Sequence, residues 1–121
     1  MDIKPYLGKS KTLDEWVRVC IENPDQGYWL IFHDTAENET LSLNMKMFPI
    51  TGNTDELSDK EFLEFDASIN SNGYCSFLNL DQLEDIISNL EMQKSNYTKE
   101  ELIKAIEHYF SNDAFVELNN G

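Results

Sequence analysis

Apolar residues recur along this chain with two periods, one of helices and one of strands. Leu13, Trp16, Val17 and Cys20 stand at helical spacing behind Thr12 and Glu15, which are spaced as a capping box. Pro24, Asp25, Gln26 and Gly27 stop that helix and turn the chain. Tyr28 to His33 is a run of aromatic and branched residues and predicts a strand. Leu41, Leu43, Met45 and Met47 alternate with polar residues and predict a second, half-buried strand, stopped by Pro49. Joined by the polar stretch Asp34 to Thr40, the two form an antiparallel hairpin over about 28–47.

The second half is mainly helical. Ser58 and Glu61 form another capping box, ahead of Phe62, Phe65 and Ile69 on one face, and Asn72-Gly73 ends that helix. Tyr74 to Leu78 is a short third strand or an apolar loop. Leu83, Ile86, Ile87 and Leu90 then make the clearest amphipathic stripe in the chain. Thr98 and Glu101 cap a last helix with Leu102, Ala105, Ile106 and Tyr109 on its core face, and Ala114 to Leu118 follows as a strand or a packed tail. The sum is one α+β domain over residues 1–121, an N-terminal helix and a small antiparallel sheet packed by three further helices.

Composition bounds the function. The chain has 121 residues, 40% of them apolar, enough to bury about two-thirds of its surface around one core. It carries 23 acidic against 9 basic residues, a formal charge of -14. That excess disfavours direct binding to nucleic acid or to an anionic membrane, and makes a basic protein the natural partner. Met1 to Thr12 has lysines but no apolar run behind them, so no signal peptide is expected. No stretch approaches the roughly 20 apolar residues needed to span a bilayer, so the expected location is the cytosol.

Candidate chemistry is sparse. Cys20 and Cys75 lie in apolar contexts and suit buried structural thiols. With His33 and His108 they show neither the paired spacing of a zinc site nor a nucleophile signature. Ser68 to Ser76 imitates a calcium loop, but Ser68 and Asn79 stand where the anchoring carboxylates belong, so a helix cap and turn is the better reading. Asp66 borders the apolar stripe of its helix and is expected to be partly buried, most simply as a structural carboxylate. There is no phosphate loop or nucleophile elbow. These residues predict no enzyme, no metal and no cofactor.

The charge, however, is concentrated. From Ile50 to Gln93 ten acids face a single base, Lys60, which leaves -9 in that segment. Such an excess on two neighbouring helices repels itself, and a cationic partner would turn that cost into faster encounter and selectivity. The candidate partner-binding residues are Asp55, Glu56, Asp59, Glu64, Asp81, Glu84, Asp85 and Glu91, with Asp34, Glu37 and Glu39 as a second surface.

The acidic helix Asp81-Gln82-Leu83-Glu84-Asp85-Ile86-Ile87-Ser88-Asn89-Leu90 and the capped segment from Thr98 to Asp113-Ala114-Phe115 resemble bacterial toxin-immunity proteins of contact-dependent inhibition and polymorphic toxin systems. Such proteins have many unrelated folds, so the resemblance transfers no binding residue by position. It implies a non-enzymatic protein that binds and neutralises a cognate basic toxin domain, foremost a nuclease, in a bacterial cytosol. The acidic face would either fill the toxin's cationic groove or hold an exosite. The rival readings are an acidic nucleic-acid mimic or an adaptor that inhibits a host DNA- or RNA-binding protein, and a small hydrolase using a carboxylate or Cys75.

Overall fold

The computed structural model describes residues 2–36, 40–51 and 56–117. A four-stranded antiparallel sheet has the order β1-β3-β2-β4, where β1 is Lys11–Thr12, β2 Trp29–His33, β3 Lys46–Ile50 and β4 Tyr74–Asn79. The helices are α1 (Leu13–Glu22), α2 (Asp59–Ser71), α3 (Leu80–Gln93) and α4 (Lys99–Asn112). The α+β class, the N-terminal helix and the hairpin are as the periodicity predicts.

Successive side chains of a strand point to opposite faces of its sheet, and β2 buries both. Leu30 and Phe32 join the larger apolar cluster, which α1, α3 and α4 complete through residues such as Trp16, Leu83, Ile87 and Ile106. Ile31 joins a smaller cluster with Ile3, Ile50 and two α2 residues, Phe65 and Ile69. The sheet therefore lies between α1, α3 and α4 on one face and α2 with the N-terminal 3-10 turn Lys4–Tyr6 on the other.

Local chemistry sets the helix starts. The boxes at Thr12, Ser58 and Thr98 form as expected, and Asn79 with Gln82 adds a fourth ahead of α3. In the Thr98 box, hydrogen bonds from the Thr98 N–H and the Lys94 ammonium hold the Glu101 carboxyl below its ordinary pKa. At the other end of α2, Gly73 takes φ +87°, a left-handed turn that leads straight into β4.

The second strand is displaced from its expected place. Leu41, Leu43 and Met45 alternate and are half-buried, yet they lie outside any strand. The carbonyls of Leu43 and Met45 instead accept the Asp14 and Leu13 N–H groups at the start of α1, both at 2.9 Å. The strand begins at Lys46 and runs through Pro49, which pairs with Leu30 instead of ending the element. Pro49's carbonyl accepts from the Gly8 N–H at 2.9 Å. A strand residue directs its nitrogen and oxygen to the same side, so the missing N–H of Pro49 points away from β2 and costs the hairpin no bond. A Cβ on Gly8 would come within 2.8 Å of the Pro49 ring, so this approach requires glycine.

Other expectations shift too. β1 is two residues long, too short to show a period, and had no sequence signal. Asp66 is exposed, not partly buried, because Phe65, Ser68 and Ile69 fill the inner face of α2 and Asp66 falls outside that arc. Phe62 tilts against Trp29 and remains 42% exposed. Residues 114–117 form a packed tail, with the Val116 carbonyl accepting from Gln93 Nε2 at 2.8 Å, while Leu118 lies outside the described residues.

If α2 is held to the sheet mainly by Phe65, Phe65→Ala should cost about 3–5 kcal/mol in urea unfolding, as for a buried aromatic. Leu63→Ala on the solvent side of the same helix should stay within about 0.5 kcal/mol. Equal losses for the two would refute this account of α2 docking.

Candidate partner-binding site

The acidic residues do not form one face. Asp59 and Glu64 are exposed on α2, while Asp81, Asp85 and Glu91 are exposed on α3. The expectation of two neighbouring acidic helices is therefore corrected: α2 and α3 pack on opposite faces of the sheet. The cause is the double-sided burial of β2, which needs a helix on each side. Glu56 is exposed just ahead of α2, and Asp34 is exposed in the turn after β2, where its N–H donates to the Gly73 carbonyl at 3.0 Å. Asp55, Glu37 and Glu39 lie outside the described residues.

On the α3 side the carboxylates gather around a groove. About 240 Å³ of space lies between α1 and α3, with Ile21, Pro24 and Ile87 as apolar wall and Glu84, Ser88 and Glu91 as polar wall. Helical spacing makes this possible, since positions 84, 88 and 91 share one flank of α3 while 83, 86, 87 and 90 turn inward. Glu84 accepts the Asp25 N–H through both oxygens, at 3.2 and 3.3 Å, which fixes the loop after α1 to the groove's end. Asp81 lies beside that loop, its carboxylate 3.8 Å from where a Cβ on Gly27 would be. Ile21, 56% exposed, leaves an aliphatic anchor at the rim. Among the described residues, none of Asp81, Glu84, Asp85 and Glu91 forms an ion pair, whereas Lys94 and Glu101 do at 3.0 Å.

Cys20 closes the floor of this groove. It is buried, its Sγ lies 3.8 Å from the Leu80 carbonyl, and burial followed by the charges of Glu84 and Asp81 pushes its pKa up to about 12. A thiol held protonated in this way is a poor nucleophile at neutral pH. Cys75 is half-buried in β4, less enclosed than its apolar neighbours in sequence suggest. His33 ends β2 stacked on Tyr74 at 4.8 Å, and His108 lies in α4 at 3.4 Å from Asn112 Nδ2. Among the described residues, no three His, Cys, Asp or Glu side chains gather as a metal set. Ser68 to Ser76 spans the end of α2, its cap and the start of β4, as expected of a cap and turn.

The sequence reading missed a second groove. Leu41, Leu43 and Ile103 floor a space of about 430 Å³ between the 41–43 segment and α4, with Lys99, Glu100, Lys104 and Glu107 around it. Its mixed charges distinguish it from the acidic groove. The half-buried alternation of Leu41 and Leu43, assigned to a strand, was its one sequence signal.

The sequence profile of the domain of unknown function DUF7716 matches residues 15–118. The chain belongs to this family. That family description carries no activity and does not bear on the resemblance to immunity proteins. No curated protein and no solved structure matches the chain. Among the described residues, no helix is long and apolar enough to cross a membrane. The DUF7716 match begins inside α1 and takes in the acidic groove and strands β2, β3 and β4, while β1 lies ahead of it.

The buried thiol makes a prediction about alkali. The folded chain keeps the Cys20 proton above the ordinary thiol value of 9.0, up to about 12, so between those values it binds more protons than the unfolded chain. Stability should then fall as pH rises through that window, and Cys20→Ala should flatten the fall even if it lowers stability throughout. Denaturant titrations of both proteins from neutral to alkaline pH check this, and parallel curves would show that Cys20 keeps an ordinary pKa.

Proposed function

We propose that this protein is a non-enzymatic immunity protein of the bacterial cytosol, which binds and neutralises a cognate basic toxin domain, with a nuclease as the toxin class that complements it best. The observation that carries the reading is the α1/α3 groove, where Glu84 and Glu91 face an exposed Ile21 across about 240 Å³. Carboxylates without cationic partners speed the approach of a basic surface, and an aliphatic rim slows its departure. A toxin that binds nucleic acid offers the cationic groove such a surface fits. The same contacts serve whether the toxin's active site or an adjoining exosite is covered.

The rival nucleic-acid mimic needs carboxylates in one continuous, phosphate-like track. The division of the acids between α2 and α3, on opposite faces of the sheet, weighs against such a track. For a hydrolase the candidates are Cys75, half-buried in β4, and a carboxylate such as the solvent-facing Asp66, and neither lines the α1/α3 groove.

Co-expression with the toxin encoded beside its gene tests the proposal. The pair should co-purify, and the immunity chain should protect cells that make the toxin. Replacing Glu84, Asp85 and Glu91 by lysine should slow association by about tenfold or more at low salt and flatten its salt dependence. Asp59→Lys with Glu64→Lys, on the opposite face, should slow it far less. Unchanged association in the α3 variant removes the groove from the interface, and absence of protection removes the immunity reading.

A further inference from the structure

The two edges of the sheet are unlike. β1 is two residues long and carries Lys11, both features that discourage further strand pairing. β4, at the other edge, has six residues, Tyr74-Cys75-Ser76-Phe77-Leu78-Asn79, with no charge and no proline. It pairs with β2 on one side, and among the described residues no strand pairs with its other side. Ser76 is exposed and Tyr74 and Cys75 are half-buried, so the first half of the strand reaches solvent. An uncharged terminal strand of this kind is a template for addition of an extended segment.

Charge selects the occupant. α2 and α3 contact β4 from opposite faces of the sheet, and the 50–93 segment that forms all three elements carries ten acids against one base. The Asp34 carboxylate lies 4.0 Å from where a Cβ on Gly73 would be, at the start of the strand, and Asp81 follows its end in the first turn of α3. A second copy of this chain would set that acidic segment against itself. A cationic strand would be attracted from both faces, because its side chains alternate between the α2 side and the α3 side.

We propose that β4 is a docking edge that receives an extended lysine- or arginine-bearing segment of the partner as a fifth strand of the sheet. This rests on the basic-partner reading above and adds the mode of binding. Six residues of strand span about 20 Å, so a partner segment of similar length would suffice.

Amide hydrogen exchange of the intact protein tests this with two peptides about as long as β4, one alternating lysine and valine, the other threonine and valine. The lysine peptide should slow exchange within Tyr74–Asn79 by about tenfold or more, and the threonine peptide far less. Ser76→Lys should weaken the lysine peptide by about tenfold. Ser76→Thr keeps the hydroxyl that accepts from Trp29 Nε1 at 2.8 Å, and should bind as the parent does. Protection confined to the α1/α3 groove would overturn edge docking while leaving a basic partner in place. Equal protection of β4 by both peptides would retain the edge but remove its cationic preference, and with it support for a basic partner. A dimer joined through β4, or no protection of β4 by either peptide, would overturn the proposal.

Discussion

Burial of β2 on both of its faces is the constraint on which the other elements depend. Leu30 and Ile31 are adjacent, have no exposed surface, and point in opposite directions. Exposing either face would return two or three large apolar side chains to water, at about 1.5–3 kcal/mol each. A sheet buried on one side alone would leave Ile31 and Ile50 without cover. The chain therefore places α2 on one side and three helices on the other. Aromatic edges complete the thin side: Tyr6 and Trp29 meet Phe65 at 5.0 and 6.2 Å between ring centroids.

This layering decides what the acidic charge can do. Had α2 and α3 shared a face, their carboxylates would have formed one broad anionic surface. Separated by the sheet, they become a groove at α1 and α3 and a second acidic helix on the other face. The groove joins opposing properties, since Ile21 is left in water while Cys20, one residue earlier, is buried. The same two carboxylates, Glu84 and Asp81, raise the Cys20 pKa and border the loop after α1, so the thiol reports on the electrostatics of the candidate site.

Much of the fold was legible because its determinants are local. Capping boxes place a side chain within three residues of the N–H it satisfies, so Thr12, Ser58 and Thr98 mark helix starts without reference to the rest of the molecule. The inward stripe of α3 was equally plain, with Leu83, Ile86, Ile87 and Leu90 all buried. Asn79 with Gln82 was less visible only because it also ends a strand. The errors share a cause. Alternation at Leu41, Leu43 and Met45 records contact of every second residue with the core, which an irregular segment whose carbonyls accept from the N–H groups of α1 satisfies as well as a strand does. Pro49 breaks a strand only where its nitrogen must donate, and that direction follows from its neighbours at Gly8 and Leu30.

By itself the sequence determined the starts of α1, α2 and α4, the α+β class, the existence of the hairpin and the concentration of ten acids between Ile50 and Gln93. Each depends on residue type and spacing over a few turns or on simple composition. Only the tertiary structure decided that α2 and α3 stand on opposite faces, that Asp66 is exposed, and that β4 ends the sheet. These depend on which strand buries both sides and on contacts between residues far apart in the chain, such as Trp16 Nε1 donating to the Met47 carbonyl at 3.0 Å. Periodicity shows that a helix has a buried face but carries no direction toward a particular side of the sheet. The location of the charge was therefore written in the chain, and its division between two faces arose from packing.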